Sequence, residues 1–223
     1  MTLLPALEKE TRANPDCAVI WLHGLGADGH DFFPIVEQLR LPKSAAIRFI
    51  FPHAPSMPVT VNGGFIMPAW YDIAEMQIDR RVDVAGILAS AAKINGFVEQ
   101  EMRRGIESRR IVIAGFSQGG AVAYQLALSH PRPLGGLLAM STYLATAASL
   151  AFSAANSTLP VAIHHGQRDP VVPVALGREA AGLLKDKGYA VDFRSYPMEH
   201  SVSPAQIGDI AQWLRLVLQL DPS

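Results

Sequence analysis

The chain has 223 residues, of which 49% are hydrophobic, and its charged side chains sum to a formal net charge of -1. This length suits one domain with a large core, and the small net charge gives no reason to expect a nucleic-acid partner or an anionic membrane. The single cysteine, Cys17, has no disulfide partner, which fits a reducing compartment. We therefore expect residues 1–223 to form one globular domain.

The sequence gives no sign of secretion or of a membrane span. The N-terminal residues lack the cationic start, apolar core and small-residue cleavage site of a signal peptide, so the cytoplasm is the expected location. Residues 135–155 are apolar enough to imitate a membrane span, but hydroxyl-bearing side chains interrupt them. A buried strand followed by a surface helix explains this stretch better, and we expect no stable membrane insertion.

The first predicted elements surround a glycine-rich loop. Short apolar runs predict buried strands over residues 17–22 and 47–51, and Asp31 is suited to cap a helix over residues 32–39. The loop at residues 23–29 holds three glycines, so its backbone can turn tightly and present N–H groups to a ligand. It matches neither the P-loop nor the dinucleotide-binding pattern, which argues against phosphate binding.

A long connection follows at residues 52–73, with four prolines and two glycines. Connections of this length inside a compact domain are usually functional. Its apolar side chains, among them Phe65, Met67 and Trp70, are suited either to line an acyl-binding groove or to pin the loop to the core.

The remaining elements continue the alternation of helix and strand. A long amphipathic helix is predicted over residues 83–104, with an interruption near Asn95 and Gly96. Further strands are predicted at residues 135–140, 160–165 and 190–196, and further helices at residues 174–187 and from Pro204 onward. This order predicts an α/β fold with a single, mostly parallel central sheet and helices on both faces.

The segment 110–130 predicts a strand, a sharp turn and a helix. At the turn, Gly115 to Gly119 follow the G-x-S-x-G pattern, in which small neighbours make room and a serine hydroxyl is exposed. Ser117 would lie at a helix N-terminus, which favours developing negative charge. Ser117 is therefore the candidate nucleophile; an incidental serine in a glycine-rich turn is the alternative.

Two later loops supply the partners that such a serine needs. A hydroxyl requires a nearby base to become a nucleophile, and histidine has the pKa suited to this near pH 7. Asp169 and His200 each follow a predicted strand, and the order Ser117, Asp169, His200 is that of α/β-hydrolases. The sequence predicts this catalytic triad, with Asp169 rather than the neighbouring Glu199 orienting His200.

Metal binding is an alternative use of His164 and His165 beside Asp169. Adjacent residues of a strand point to opposite faces, so both imidazoles cannot readily reach one ion. We expect no metal and no other cofactor.

Five stretches resemble the α/β-hydrolase family of small carboxylesterases, lysophospholipases and acyl-protein thioesterases. They are HGLGADG at 23–29, MPAWYDI at 67–73, GFSQGG at 115–120, GQRDPVVP at 166–173 and PMEH at 197–200. The resemblance implies the same triad, an oxyanion hole formed by the backbone N–H groups of Leu25 and Gln118, and an acyl pocket walled by the loop of Phe65, Met67 and Trp70. The family usually has glycine where this chain has Glu199.

These features predict a serine carboxylesterase that hydrolyses carboxylic esters through an acyl-enzyme intermediate. An acyl-protein thioesterase or a lysophospholipase would use the same triad and is the alternative. A non-catalytic α/β-hydrolase that binds a small ligand is a further alternative, but such a protein usually lacks one of the three residues. The expected partner is a small-molecule ester or thioester, and the pattern allows a homodimer.

Overall fold

A seven-stranded sheet forms the centre of the protein, whose computed structural model describes residues 3–74 and 82–220. The strands are β1 (Ala6–Glu10), β2 (Cys17–Leu22), β3 (Ile47–Pro52), β4 (Ser56–Val59), β5 (Phe65–Pro68), β6 (Ile111–Phe116), β7 (Gly136–Met140), β8 (Val161–Gly166) and β9 (Val191–Tyr196). The large sheet has the order β1-β3-β2-β6-β7-β8-β9, and β4 and β5 form a separate antiparallel hairpin. All neighbours in the large sheet are parallel except β1 and β3, as the predicted fold class requires.

Helices cover both faces of this sheet. They are α1 (Ile35–Gln38), α2 (Val84–Arg103), α3 (Gln118–Ser129), α4 (Val174–Asp186) and α5 (Pro204–Val217). Buried side chains of α2, α3 and α4 pack on one face, and those of α1 and α5 on the other. Because both faces are covered, every residue of β2, β7 and β8 is buried, which explains why β2 and β7 are continuously apolar in sequence; β8 also buries His164 and His165.

The edge strand β1 was not predicted, because its sequence, ALEKE, is largely polar. It pairs with β3 and is held by ion pairs as well as by the strand ladder. Arg48 of β3 contacts Glu10 and the fully buried Glu101 of α2, each at 2.7 Å. The polar side chains of β1 therefore serve tertiary contacts that no local pattern reveals.

Two predicted helices differ from those observed. The helix expected over residues 32–39 is the four-residue α1, and its N-cap position is Pro34 rather than Asp31. Proline has no N–H, so a helix can include it only in its first turn. The interruption expected near Gly96 does not occur, since α2 is continuous; a Cβ on Gly96 would lie 2.8 Å from Leu3, so the glycine permits a close contact with the N-terminal segment.

The prediction of a surface helix after β7 is also wrong. Residues 141–153 form turns, and only the short 3₁₀ helix Ala154–Asn156 is regular. Ser141 has a φ of 45°, which prevents a helix from starting directly after the strand. The segment instead crosses the end of the sheet beside the turn at Ser117, to which it is hydrogen-bonded.

None of the helices in the described part of the chain is long and apolar enough to span a bilayer.

Candidate active site

The turn between β6 and α3 places Ser117 in a strained conformation, with φ 53° and ψ -121°. Its backbone is held by bonds from Ser117 N–H to Met140 O at 2.9 Å and from Thr142 Oγ1 to Ser117 O at 2.7 Å. A Cβ on Gly115 would lie 2.4 Å from Gly119 O, and a Cβ on Gly119 would lie 2.5 Å from His23 O. The small residues that the sequence pattern requires are therefore sterically necessary here.

His200 and Asp169 meet at this end of the sheet. Asp169 Oδ2 lies 2.7 Å from His200 Nδ1, and Asp169 Oδ1 accepts the N–H groups of Val171 at 2.9 Å and Val172 at 2.8 Å. The Asp169 side chain is fully buried, whereas Glu199 is exposed. The carboxylate that contacts His200 is thus that of Asp169, and the His200 ring packs 4.7 Å from the ring of Phe116, the residue before Ser117.

Two backbone N–H groups are available beside Ser117. Gln118 is the first residue of α3, so its N–H has no partner within the helix. On the glycine-rich loop, Gly26 N–H donates to Pro68 O at 2.9 Å and Ala27 N–H to Gly24 O at 3.4 Å, while Leu25 N–H has no partner among the described residues. Leu25 and Gln118 line the same pocket as Ser117, which is the placement that an oxyanion hole requires.

The pocket at Ser117 has a volume of about 510 Å³. His200, Ser117, Leu25 and Gln118 line it together with mostly apolar side chains and two tyrosines; these further residues include Val61, Tyr71, Ile73, Val82, Phe116, Tyr143, Pro170, Val171 and Val172. The structure therefore brings Ser117, His200 and the two predicted oxyanion residues to one cavity, and Asp169 contacts His200 without lining it.

The three residues predicted to wall the acyl pocket do not line this cavity. Phe65 lies on the hairpin strand β5 and is 67% exposed, and Met67 of the same strand accepts a bond from Asn62 Nδ2 at Sδ, at 3.4 Å. Trp70 is 2% exposed and donates from Nε1 to His23 O at 2.9 Å. The β4–β5 hairpin turns Phe65 outward and the core encloses Trp70, so the loop lines the pocket through other residues.

The Gln118 side chain connects this loop to the nucleophile turn. Its Oε1 accepts Trp70 N–H at 2.8 Å, and its Nε2 donates to Tyr71 O at 2.6 Å. The side chain is buried, so both bonds are shielded from water. The sequence pattern predicts a role only for the backbone N–H of Gln118. The side-chain bonds to Trp70 and Tyr71 have no local sequence signal, because these residues precede Gln118 by 48 and 47 positions.

Three potential metal ligands cluster on the other side of the glycine-rich loop. One ligand atom from each of Asp28, His30 and His53 lies within 4.8 Å of the others. Asp28 Oδ1 is already bonded by His30, and His53 Nδ1 accepts Gly29 N–H at 3.1 Å. Asp28 Oδ1 and His53 Nδ1 are thus already engaged in hydrogen bonds. His164 and His165 point apart, toward Tyr196 and Asp169 respectively.

Sequence and structure comparisons identify the family. A profile of the phospholipase/carboxylesterase family matches residues 8–218. The chain is 40% identical to acyl-protein thioesterase 1 of Neurospora crassa, over 95% of this chain and 89% of that protein. It is 38% identical to acyl-protein thioesterase 1 of Gibberella zeae, over 96% and 93%. The crystal structure of acyl-protein thioesterase 2 of Zea mays superposes with a TM-score of 0.85 at 29% identity, over 96% of this chain and 99% of that chain. The chain therefore belongs to the phospholipase/carboxylesterase family and is a serine hydrolase with the α/β-hydrolase fold.

Proposed function

We propose that this protein hydrolyses acyl thioesters and carboxylic esters through an acyl-enzyme on Ser117. The observation that supports this most directly is the 2.7 Å contact between Asp169 Oδ2 and His200 Nδ1, beside a pocket that Ser117 also lines. Asp169 holds the proton on Nδ1, which leaves Nε2 of His200 free to act as the base.

The reaction proceeds in two symmetrical halves. His200 Nε2 takes the proton of Ser117 Oγ as the oxygen bonds to the acyl carbon, and the carbonyl oxygen becomes an oxyanion that accepts the N–H groups of Leu25 and Gln118. His200 then gives its proton to the leaving sulfur or oxygen as that bond breaks. Water attacks the acyl-enzyme in the same way, which releases the acid and restores Ser117.

The names of the relatives favour thioesters as the substrates of this protein. The fungal and maize proteins compared above are named acyl-protein thioesterases, which supports the thioesterase alternative over the carboxylesterase that sequence features put first. A thiolate is also the better leaving group, because a thiol has a pKa of about 8.5, well below that of an alcohol.

A matched pair of substrates tests this proposal. We expect an octanoyl thioester of a cysteine peptide to be hydrolysed with a higher kcat/KM than the octanoyl ester of the corresponding serine peptide. Ser117→Ala should remove activity toward both, and an organophosphonate should add once per wild-type chain and not to Ser117→Ala in intact-mass analysis. Hydrolysis of the oxygen ester alone would make the protein a carboxylesterase; a stoichiometric adduct on Ser117→Ala would refute the assigned nucleophile.

A further inference from the structure

Two tyrosine hydroxyls meet in the catalytic pocket. Tyr71 Oη and Tyr143 Oη are 3.5 Å apart, and both residues line the cavity of Ser117. The backbone holds each of them against the nucleophile turn, since Tyr71 O accepts Gln118 Nε2 at 2.6 Å and Thr142, next to Tyr143, donates to Ser117 O at 2.7 Å. The backbone segments that carry the two tyrosines are therefore anchored to the turn at Ser117.

The two hydroxyls carry two protons, and the hydrogen bond between them uses only one. Burial raises the pKa of both phenols, so both carry their protons at neutral pH. One proton lies between the two oxygens, and the other must point to a third atom. Tyr71 is 2% exposed and has no other acceptor for its hydroxyl among the described residues, whereas Tyr143 is only half-buried. If Tyr143 donated to Tyr71, the buried Tyr71 hydroxyl would be left without an acceptor. We therefore infer that Tyr71 donates to Tyr143 and that the Tyr143 proton is directed into the pocket.

Two other polar residues of this pocket, Asp72 and Gln118, already have partners, whereas Asp31 and Asn62 line it from exposed positions. Both carboxylate oxygens of Asp72 accept bonds from Thr60, at 2.8 and 2.5 Å, and the side-chain amide of Gln118 is bonded at both ends. A hydrogen-bond donor in a binding pocket disfavours ligands that cannot accept its proton, because the donor is then left unpaired.

We propose that Tyr143 is a specificity-determining residue, whose hydroxyl donates to an oxygen atom carried by the substrate outside the scissile group. The ligand chemistry is a hydroxyl, ether or carbonyl oxygen on the acyl chain or on the leaving group. This inference rests on the proposed function, because it concerns the substrate of the same pocket.

Two pairs of esters of matched size distinguish the acyl side from the leaving-group side. Ethyl 3-hydroxyoctanoate is compared with ethyl 3-methyloctanoate, and 2-methoxyethyl octanoate with butyl octanoate. For at least one pair, Tyr143→Phe should lower the ratio of kcat/KM for the oxygenated member to kcat/KM for its all-carbon counterpart by about 2- to 12-fold, the contribution of one hydrogen bond. Tyr71→Phe should have a smaller effect, because Tyr143 retains its proton.

Tyr124→Phe is the matched control, since the Tyr124 hydroxyl is buried in the core without a partner among the described residues. Tyr124→Phe should leave the ratio of kcat/KM between the two members of each pair unchanged. Equal effects of Tyr143→Phe on both members of both pairs overturn the inference, and so does a larger loss in Tyr71→Phe.

Binding to Ser117→Ala protein, measured by ligand-observed NMR, separates this inference from the proposed function. Dissociation constants that depend on Tyr143 for the oxygenated ester support the inference even if wild-type protein hydrolyses none of the four esters, a result that would contradict only the ester hydrolysis in the proposed function. Dissociation constants that are the same with Tyr143 and with phenylalanine, for both members of each pair, overturn the inference whatever the rates.

Discussion

His165 Nε2 lies 3.7 Å from Asp169 Oδ2, the same oxygen that contacts His200. His165 is fully buried, and its Nε2 donates to Val172 O at 2.8 Å while Val172 N–H donates to Asp169 Oδ1. Burial lowers the pKa of His165, so the ring stays neutral and does not compete with His200 for the carboxylate. A second histidine thus secures the turn that holds Asp169.

Substitution of His165 should affect both stability and turnover. His165→Leu leaves the Val172 carbonyl without a donor, which should cost about 1–3 kcal/mol in the free energy of unfolding and lower kcat as Asp169 loses its fixed position. His165→Gln places an N–H near the Nε2 position and should recover part of both losses. Urea denaturation and kcat for the two variants test this; a leucine variant with normal stability and normal kcat would contradict it.

Asp169 and Glu199 should differ sharply in their contribution to catalysis. Asp169→Asn should fold but lose most turnover, because asparagine favours the wrong tautomer of His200; in the chymotrypsin-type example on which this expectation is based, the loss in kcat is about 10⁴-fold. Glu199→Gln should lose little, because Glu199 is exposed and the carboxylate that contacts His200 is that of Asp169. Measurements of kcat from pH 6 to 10 decide between them, and a more damaged Glu199→Gln enzyme would mean that Glu199 is the orienting carboxylate.

Acyl-length preference should depend on the pocket wall rather than on the exposed hairpin. Each methylene that is buried in the pocket should raise wild-type kcat/KM about fourfold, from about 0.8 kcal/mol per methylene, until the pocket is filled. Ile73 lines the pocket, so Ile73→Ala should change the ratio of kcat/KM for octanoyl and acetyl esters. Ile66 is 64% exposed on β5 and supplies the matched control, Ile66→Ala, whose ratio should equal that of wild type. Equal changes of this ratio in both variants would indicate that the β4–β5 hairpin also contacts the acyl chain.

Stability should fall in mild acid because of His164. This residue is fully buried, and burial lowers its pKa from 6.5 to about 4. Between these two values the unfolded chain binds a proton that the folded chain does not, so the free energy of unfolding falls as the pH falls, by up to about 1.4 kcal/mol per pH unit. Urea denaturation at pH 7, 6 and 5 should show this slope, and His164→Gln should reduce it. A slope that His164→Gln leaves unchanged would assign the acid sensitivity to other groups, such as His23 and His165, whose pKa values burial also lowers.

The sequence alone determined the fold class and the main features of the site. Continuous apolar runs predict the fully buried strands β2 and β7, because a parallel sheet covered on both faces excludes most polar residues from them. The glycines around Ser117 predict the nucleophile turn, because only small residues fit its close backbone contacts. Asp169 and His200 could be predicted because parallel strands bring the loops at their carboxyl ends to one edge of the sheet.

Only the tertiary structure decided which apolar side chains face the substrate. Phe65 and Trp70 look alike in sequence as large residues of one loop, yet the hairpin turns one to solvent and the core encloses the other. The contacts of Gln118 with residues 70–71, of His165 with Asp169 and of Tyr71 with Tyr143 join positions that lie on different elements. Local patterns do not encode such contacts, because each depends on how separate loops pack together at one end of the sheet.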